Sequence, residues 1–90
     1  MSNLYNIELL KNVEKFIKKQ SKDIQRRIII AIYKLPEGDV KKLKGYENYY
    51  RLRVGDIRII FEKEDDKLKI IVIDIGNRGQ IYNKYKINRL

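Results

Sequence analysis

The sequence predicts an α+β domain with the element order β-α-α-β-β-β-α: an N-terminal strand, an antiparallel αα-hairpin, a three-stranded antiparallel meander and a short C-terminal helix. Two observations predict it. From Leu9 to Leu35 the apolar residues recur at helical spacing, and from Tyr49 the period drops to two. The change falls within one loop, 37–48, with no linker, repeat or low-complexity tract, so residues 1–90 read as a single domain around one modest core.

Each element has a local reason. NLYNIE (3–8) alternates weakly and suits a short strand. Leu9, Leu10, Val13, Phe16 and Ile17 then form one stripe, with Lys11, Glu14, Lys15, Lys18 and Lys19 on the other side, which predicts an amphipathic helix of about three turns. KQSKD interrupts it. Ser21 is placed to cap a second helix, with Asp23 favourable to the positive end of its dipole. Ile24, Ile28, Ala31, Ile32 and Leu35 make the second stripe, ended by Pro36 and Gly38. The β-branched RRIIIAIYK competes as a strand, but length and stripe favour helix. Helices joined by so short a turn pack antiparallel.

EGDVKKLKGYEN (37–48) reads as a basic loop. Beyond it Tyr50, Leu52 and Val54 alternate with Arg51 and Arg53, and Gly55-Asp56 forms a two-residue turn. Ile57, Ile59 and Phe61 then alternate with Arg58 and Glu62. Asp65-Asp66 marks the next turn, and the β-branched LKIIVIDIG (68–76) is expected to be the central strand, covered on both faces. QIYNKYKINRL has helical character, with Tyr82, Tyr85 and Leu90 available for packing.

The formal charge of +9, from 21 Lys+Arg against 12 Asp+Glu, points to a polyanionic partner: nucleic acid, an acidic protein or an anionic membrane. A lysine-rich background composition is the plainer source of such charge. The chain has neither cysteine nor histidine. That excludes disulfides, thiol nucleophiles and thiolate or imidazole metal sites, and no cofactor or metal is expected. The Met1-Ser2-Asn3 start leads into no long apolar run, so neither signal peptide nor transmembrane helix is expected, and the cytoplasm is the expected location.

A turn at Gly55-Asp56 sets Arg53 directly opposite Arg58, with Arg51 two residues along on the same face. Like charges facing across a ladder cost about a few tenths to 1 kcal/mol per pair. The plain account is that these are solvated edge charges that prevent aggregation, or that Glu62 or Asp74 neutralises them. A converging guanidinium cluster is also suited to gripping phosphate oxygens bidentately. In IGNRGQIY (75–82), Gly76 and Gly79 bracket Arg78, and Tyr82 follows four residues later. Tyr82 alone would be a packing residue. Together, Arg51, Arg53, Arg58, Arg78 and Tyr82 are expected to form one basic concavity, in which an RNA base stacks on the ring while its phosphates are held.

Over nearly its whole length the chain resembles the RelE/ParE superfamily of toxins from toxin–antitoxin pairs. The phrases that carry the resemblance are the helical hairpin, KLKG (42–45), YYRLRVGDIRIIFE (49–62) and IGNRGQIY (75–82). It implies a ribosome-dependent endoribonuclease that cuts mRNA in the A site, by 2′-OH attack on the adjacent phosphate, with Arg51, Arg53, Arg58, Arg78 and Tyr82 as its catalytic residues. Arg53 and Arg58 are assigned to the scissile phosphate, Arg78 to developing charge, Arg51 to the 2′-OH, and Tyr82 to stacking or proton transfer. The family pattern has lysines at 51 and 53. Arginine there keeps the charge but cannot serve as a base, because it holds its proton above about pH 12.

The resemblance also implies a RelB-like antitoxin in a hetero-oligomer, docked over the basic site; the +9 charge fits an acidic partner, and the apolar Ile60, Ile71 and Ile73, or the first helix, are expected as further docking positions. ParE-type members share the fold, inhibit DNA gyrase and lack the RelE catalytic set; retention of Arg58, Arg78 and Tyr82 favours the nuclease. A non-catalytic RNA-binding module is the third reading.

Overall fold

The computed structural model describes residues 4–87. Strand β1 (Asn6–Leu9) leads into helices α1 (Lys11–Lys18) and α2 (Lys22–Tyr33). Strands β2 (Val40–Lys42), β3 (Tyr49–Val54), β4 (Ile57–Glu64) and β5 (Lys69–Asn77) follow, and helix α3 (Arg78–Tyr85) closes the fold. Every element expected from the sequence is present, and β2 is added. It lies inside the segment read as a loop, and three residues are too few to show an alternation.

The sheet has five strands in the order β1-β5-β4-β3-β2. Strands β2 to β5 form an antiparallel meander, and β1 pairs parallel with β5. The central position therefore belongs to β4 rather than to 68–76. Among the described residues no helix is long and apolar enough to cross a membrane.

Local chemistry explains the boundaries. The Ile24 N–H donates to Ser21 Oγ (3.3 Å), which caps α2 as its sequence suggests. Gly55 takes a φ of 59° in the β3–β4 turn, the left-handed value that glycine adopts without a Cβ penalty. That turn sets Val54 against Ile57, Leu52 against Ile59 and Tyr50 against Phe61, the register read from the alternation.

This apolar face packs under the helical hairpin. Val13, Ile17, Ile28, Ile32 and Leu35 meet Leu52, Ile59, Phe61, Ile70, Val72 and Ile75 in one buried cluster. Leu9 and Leu10, expected on the first helical stripe, belong instead to β1 and to the junction before α1.

The opposite face is covered too, by α3. Ile81 descends from that helix onto Leu43 and Ile60, with Tyr46, Tyr49, Ile73, Tyr82 and Tyr85 around them. Ile60 is fully buried, which removes it from the residues able to dock a partner; Ile71 and Ile73 remain half-buried.

The apolar run in β5 has a specific cause. A register shift leaves Ile60 paired with Asp74 but Phe61 with Val72, so Ile73 is an extra residue on β5. The bulge changes the phase of the strand. Ile70, Val72 and Ile75 enter the main core, while Asp74 points to the α3 side. Leu90 lies outside the described residues.

Candidate functional site

Three of the expected residues meet where β5 passes into α3. Asn77 caps that helix in a reciprocal pair: Gln80 N–H donates to Asn77 Oδ1 (3.1 Å), and Asn77 N–H donates to Gln80 Oε1 (3.2 Å). Arg78 is the first helical residue, and its N–H donates to Asp56 O (2.9 Å), tying the helix start to the β3–β4 turn. Gly76 stands opposite Arg58, where a Cβ would lie 3.1 Å from Gln80 Oε1 and 3.4 Å from Ile81 Cγ1. The missing side chain lets α3 settle close to the strand.

One turn beyond Arg78 this brings Tyr82 over Arg58. The Tyr82 ring lies between two guanidiniums, with Arg58 Cζ 5.5 Å and Arg78 Cζ 5.8 Å from its centroid. Arg58 Nε donates to Tyr82 Oη (3.2 Å). That bond and the charges of Arg58, Arg51 and Arg78 hold the Tyr82 phenol below its ordinary value, against the opposing effect of burial.

Arg58 differs from a solvated strand arginine. It is 4% exposed, and its Nη1 donates to the carbonyls of Gly55 (2.7 Å) and Ile57 (3.1 Å). Among the described residues no carboxylate pairs with it. Its hydrogen bonds are largely satisfied, yet its charge is not. Arg53 stands directly across the ladder, so the buried, carboxylate-free charge of Arg58 faces a second cation, and an anion there would relieve both.

Arg51 and Arg53 form a second group around Asp39. Arg51 is buried and its Nη1 donates to Asp39 O (3.3 Å) and, at the limit of hydrogen-bond distance, to Asp39 Oδ1 (3.5 Å). Arg53 is half exposed and pairs with Asp39 Oδ2. The neutralising carboxylate is therefore Asp39, and neither Glu62 nor Asp74 fills that place. Glu62 pairs across the ladder with Tyr49. Asp74 accepts from its neighbour's Ile75 N–H (2.9 Å), from Tyr85 Oη (2.8 Å) and from Lys84 Nζ (2.7 Å).

A cleft of about 300 Å³ is lined by Lys41, Lys42, Lys44, Lys86, Arg51, Arg53, Tyr82 and Tyr85; Tyr82 links it to Arg58 and Arg78, which do not line it themselves. Lys41 stands opposite Arg51 across β2–β3. Lys41, Lys42 and Lys44 were visible only as the basic character of 37–48, and Lys86 only as part of the C-terminal helical stretch; nothing local in the sequence aimed them at Arg51.

Asp74 is the anchor of the helix that carries Tyr82. Burial, and after it the Asp74 carboxylate, push the Tyr85 phenol up. A raised folded value means stability that is fully present below the ordinary tyrosine value of about 10 and is lost as pH rises through the folded one. Asp74→Ala should cost about 2 kcal/mol in urea denaturation, the size expected when a half-buried donor loses its charged acceptor. It should also weaken this alkaline dependence without abolishing it, because the burial of Tyr85 remains.

Residues 7–82 match the family described as ParE toxin of type II toxin-antitoxin system, parDE. The chain belongs to this toxin family. Toxin RelE3 of Methanocaldococcus jannaschii is 47% identical over 47 residues, 52% of this chain, and the chain spans about half (51%) of that curated relative. A chain of the archaeal RelE-RelB complex from Pyrococcus horikoshii OT3 superposes with a TM-score of 0.71 at 29% identity, covering 86% of this toxin and 98% of that chain. The RelB-RelE complex from Methanococcus jannaschii gives 0.69 at 33% identity, with 86% and 96% covered. The isolated E. coli RelE toxin, at 18% identity and a TM-score of 0.67 over 89% of this chain and 93% of that one, shares the fold. The toxin is thus RelE-like in its relatives as well as in its architecture.

Proposed function

We propose that this toxin is an endoribonuclease that cleaves mRNA in the ribosomal A site and inhibits translation until an antitoxin covers it. The observation that carries the reading is Tyr82, hydrogen-bonded by Arg58 and flanked by Arg58 and Arg78 at the end of a basic cleft. In the reaction the 2′-oxygen attacks phosphorus, the P–O5′ bond breaks, one proton leaves the 2′-OH and one reaches O5′. Of Arg51, Arg53, Arg58, Arg78 and Tyr82, only the tyrosine can give up a proton at accessible pH. Its lowered value suits the base role.

Burial revises the division of labour among the arginines. Arg58 has spent Nε and Nη1 internally, so it acts through Tyr82 and offers only Nη2 to a phosphate. Arg53 and Arg78 are the freer guanidiniums for the scissile phosphate and its developing charge, where each aimed donor is worth about 3 kcal/mol. Arg51, held by Asp39, supports the cleft from below. The mechanism requires no metal or cofactor.

The antitoxin reading rests on the RelE-RelB complexes among the solved relatives and on the +9 charge, which favours an acidic, RelB-like partner in a hetero-oligomer. Ribosomes as the substrate platform place the toxin in the cytoplasm. Cleavage of message programmed into ribosomes, mapped to the nucleotide, tests the whole. Wild type should cut within the A-site codon, and Arg78→Ala should cut at least about a hundredfold more slowly. The family description favours a second reading, a ParE-like inhibitor of DNA gyrase. A folded, antitoxin-free wild type that leaves message intact and blocks supercoiling would establish that one instead.

A further inference from the structure

Asp39 is a carboxylate placed among cations. It is the middle residue of a three-residue turn closed by Val40 N–H donating to Gly38 O (3.0 Å), and Gly38 enters that turn at a φ of 127°. Asp39 O accepts from the Arg53 N–H (3.0 Å) as well as from Arg51 Nη1. The backbone of this residue is therefore fastened to β3 independently of its side chain. The side chain then spans the arginine pair, Oδ1 towards buried Arg51 and Oδ2 on half-exposed Arg53. A phosphodiester presents two non-bridging oxygens to guanidiniums in the same way.

We propose that Asp39 is a built-in counter-ion of the RNA site, occupying the place of a backbone phosphate on Arg53 and giving it up when RNA binds. This rests on the reading that the cleft takes RNA. The two arms of the carboxylate are not equivalent. The Arg53 arm is open to solvent on both sides, with side chains 56% and 38% exposed, so a phosphate can reach it. Arg51 keeps the Asp39 carbonyl as an acceptor after the carboxylate has left, and the incoming phosphate replaces the lost counter-charge beside it.

Beside Arg51 and Arg53, the cleft is lined by Lys41, Lys42, Lys44 and Lys86 and, among the described residues, by no acidic side chain. Without Asp39 such a surface would hold any single-stranded RNA through its phosphates. With it, each encounter must displace an ion pair. RNA held in register by other contacts meets that cost, and loose RNA does not. Asp39 is thus a positioning residue that also sets specificity.

The test is anisotropy of a fluorescein-labelled single-stranded RNA oligonucleotide over a salt series, with wild type, Asp39→Asn, Arg53→Gln and the double variant. Asparagine keeps an oxygen acceptor and removes the charge; Asp39→Ser, read in the same way, replaces it if the first variant does not fold. Asp39→Asn should bind about fivefold tighter, the effect of releasing one partly exposed ion pair. Its log–log salt slope should steepen by about 0.7, one more phosphate contact on a single strand. Neither change should occur in the Arg53→Gln background.

Equal or weaker binding by Asp39→Asn, or a gain that survives in the double variant, overturns the proposal and leaves Asp39 a loop tether. A-site cleavage by wild type without this gain sinks only the counter-ion role. The gain without cleavage sinks only the nuclease.

Discussion

Tyr82→Phe should slow message cleavage by about a hundred- to thousandfold while leaving the fold intact, the usual range for losing a positioned proton-transfer group. The ring and its place between Arg58 and Arg78 survive the change; only the hydroxyl that accepts from Arg58 Nε is lost. The pH profile separates proton transfer from stacking. Tyr82 lies below its ordinary value, first because of the Arg58 hydrogen bond and then because of the surrounding guanidinium charges.

If its phenolate is the base, single-turnover cleavage by wild type rises about tenfold per pH unit until the lowered value is reached, and then levels. The phenylalanine variant has no such limb. The slope cannot be a stability effect. A depressed folded value adds stability above the unfolded tyrosine value of about 10, lost as pH falls through the folded one, so near neutrality this titration adds nothing. A variant as fast as wild type, with the same profile, would reduce Tyr82 to a stacking surface.

What could be read from the sequence followed how local each cause was. Gly55-Asp56 fixes a hairpin, and a hairpin of known turn length fixes its register, so the confrontation of Arg53 with Arg58 was legible residue by residue. Ser21 and the stripe from Ile24 to Leu35 were legible for the same reason. Periodicity, however, assigns a residue to a face without saying what covers that face. Arg58 was expected to line an open basic concavity and is instead buried, because α3 lies across it.

One signal pointed to this. Ile60, an isoleucine on the arginine side of β4, is a poor solvent-facing residue, and it marks the spot where Ile81 lands. The bulge at Ile73 left no trace in a continuous apolar run, which looks alike in either phase. The parallel pairing of β1 with β5 joins residues some sixty positions apart, as Ile7 with Ile70, and depends on how the whole helical hairpin crosses the sheet. Asp39 was invisible for a similar reason. An acidic residue in a basic loop has no period, and only the turn at Gly38 and the short β2 pairing bring it to Arg51 and Arg53.

Arg58→Ala should be the most damaging single change in the site, costing about 2–3 kcal/mol of stability and nearly all cleavage. Two carbonyls, Gly55 O and Ile57 O, and the Tyr82 hydroxyl lose their donor together, and the ring loses the cation stacked on it. Relief of the like-charge pair with Arg53 returns only about a few tenths of a kcal/mol, too little to offset those losses. Tyr82 should also move back up, carrying the alkaline limb of the pH–rate profile with it, because its leading downward influence is gone.

Arg58→Lys divides the two roles. An ammonium restores the charge but is a point, and it cannot reach both turn carbonyls while aiming a donor at Tyr82. Lysine should therefore recover part of the stability in urea denaturation and leave the limb displaced to higher pH. If lysine matched arginine in both measurements, charge alone would account for the site. The Nε bond would then lose its place as the cause of the low Tyr82 value, and the burial of a forked, carboxylate-free cation at this position would have no chemical purpose.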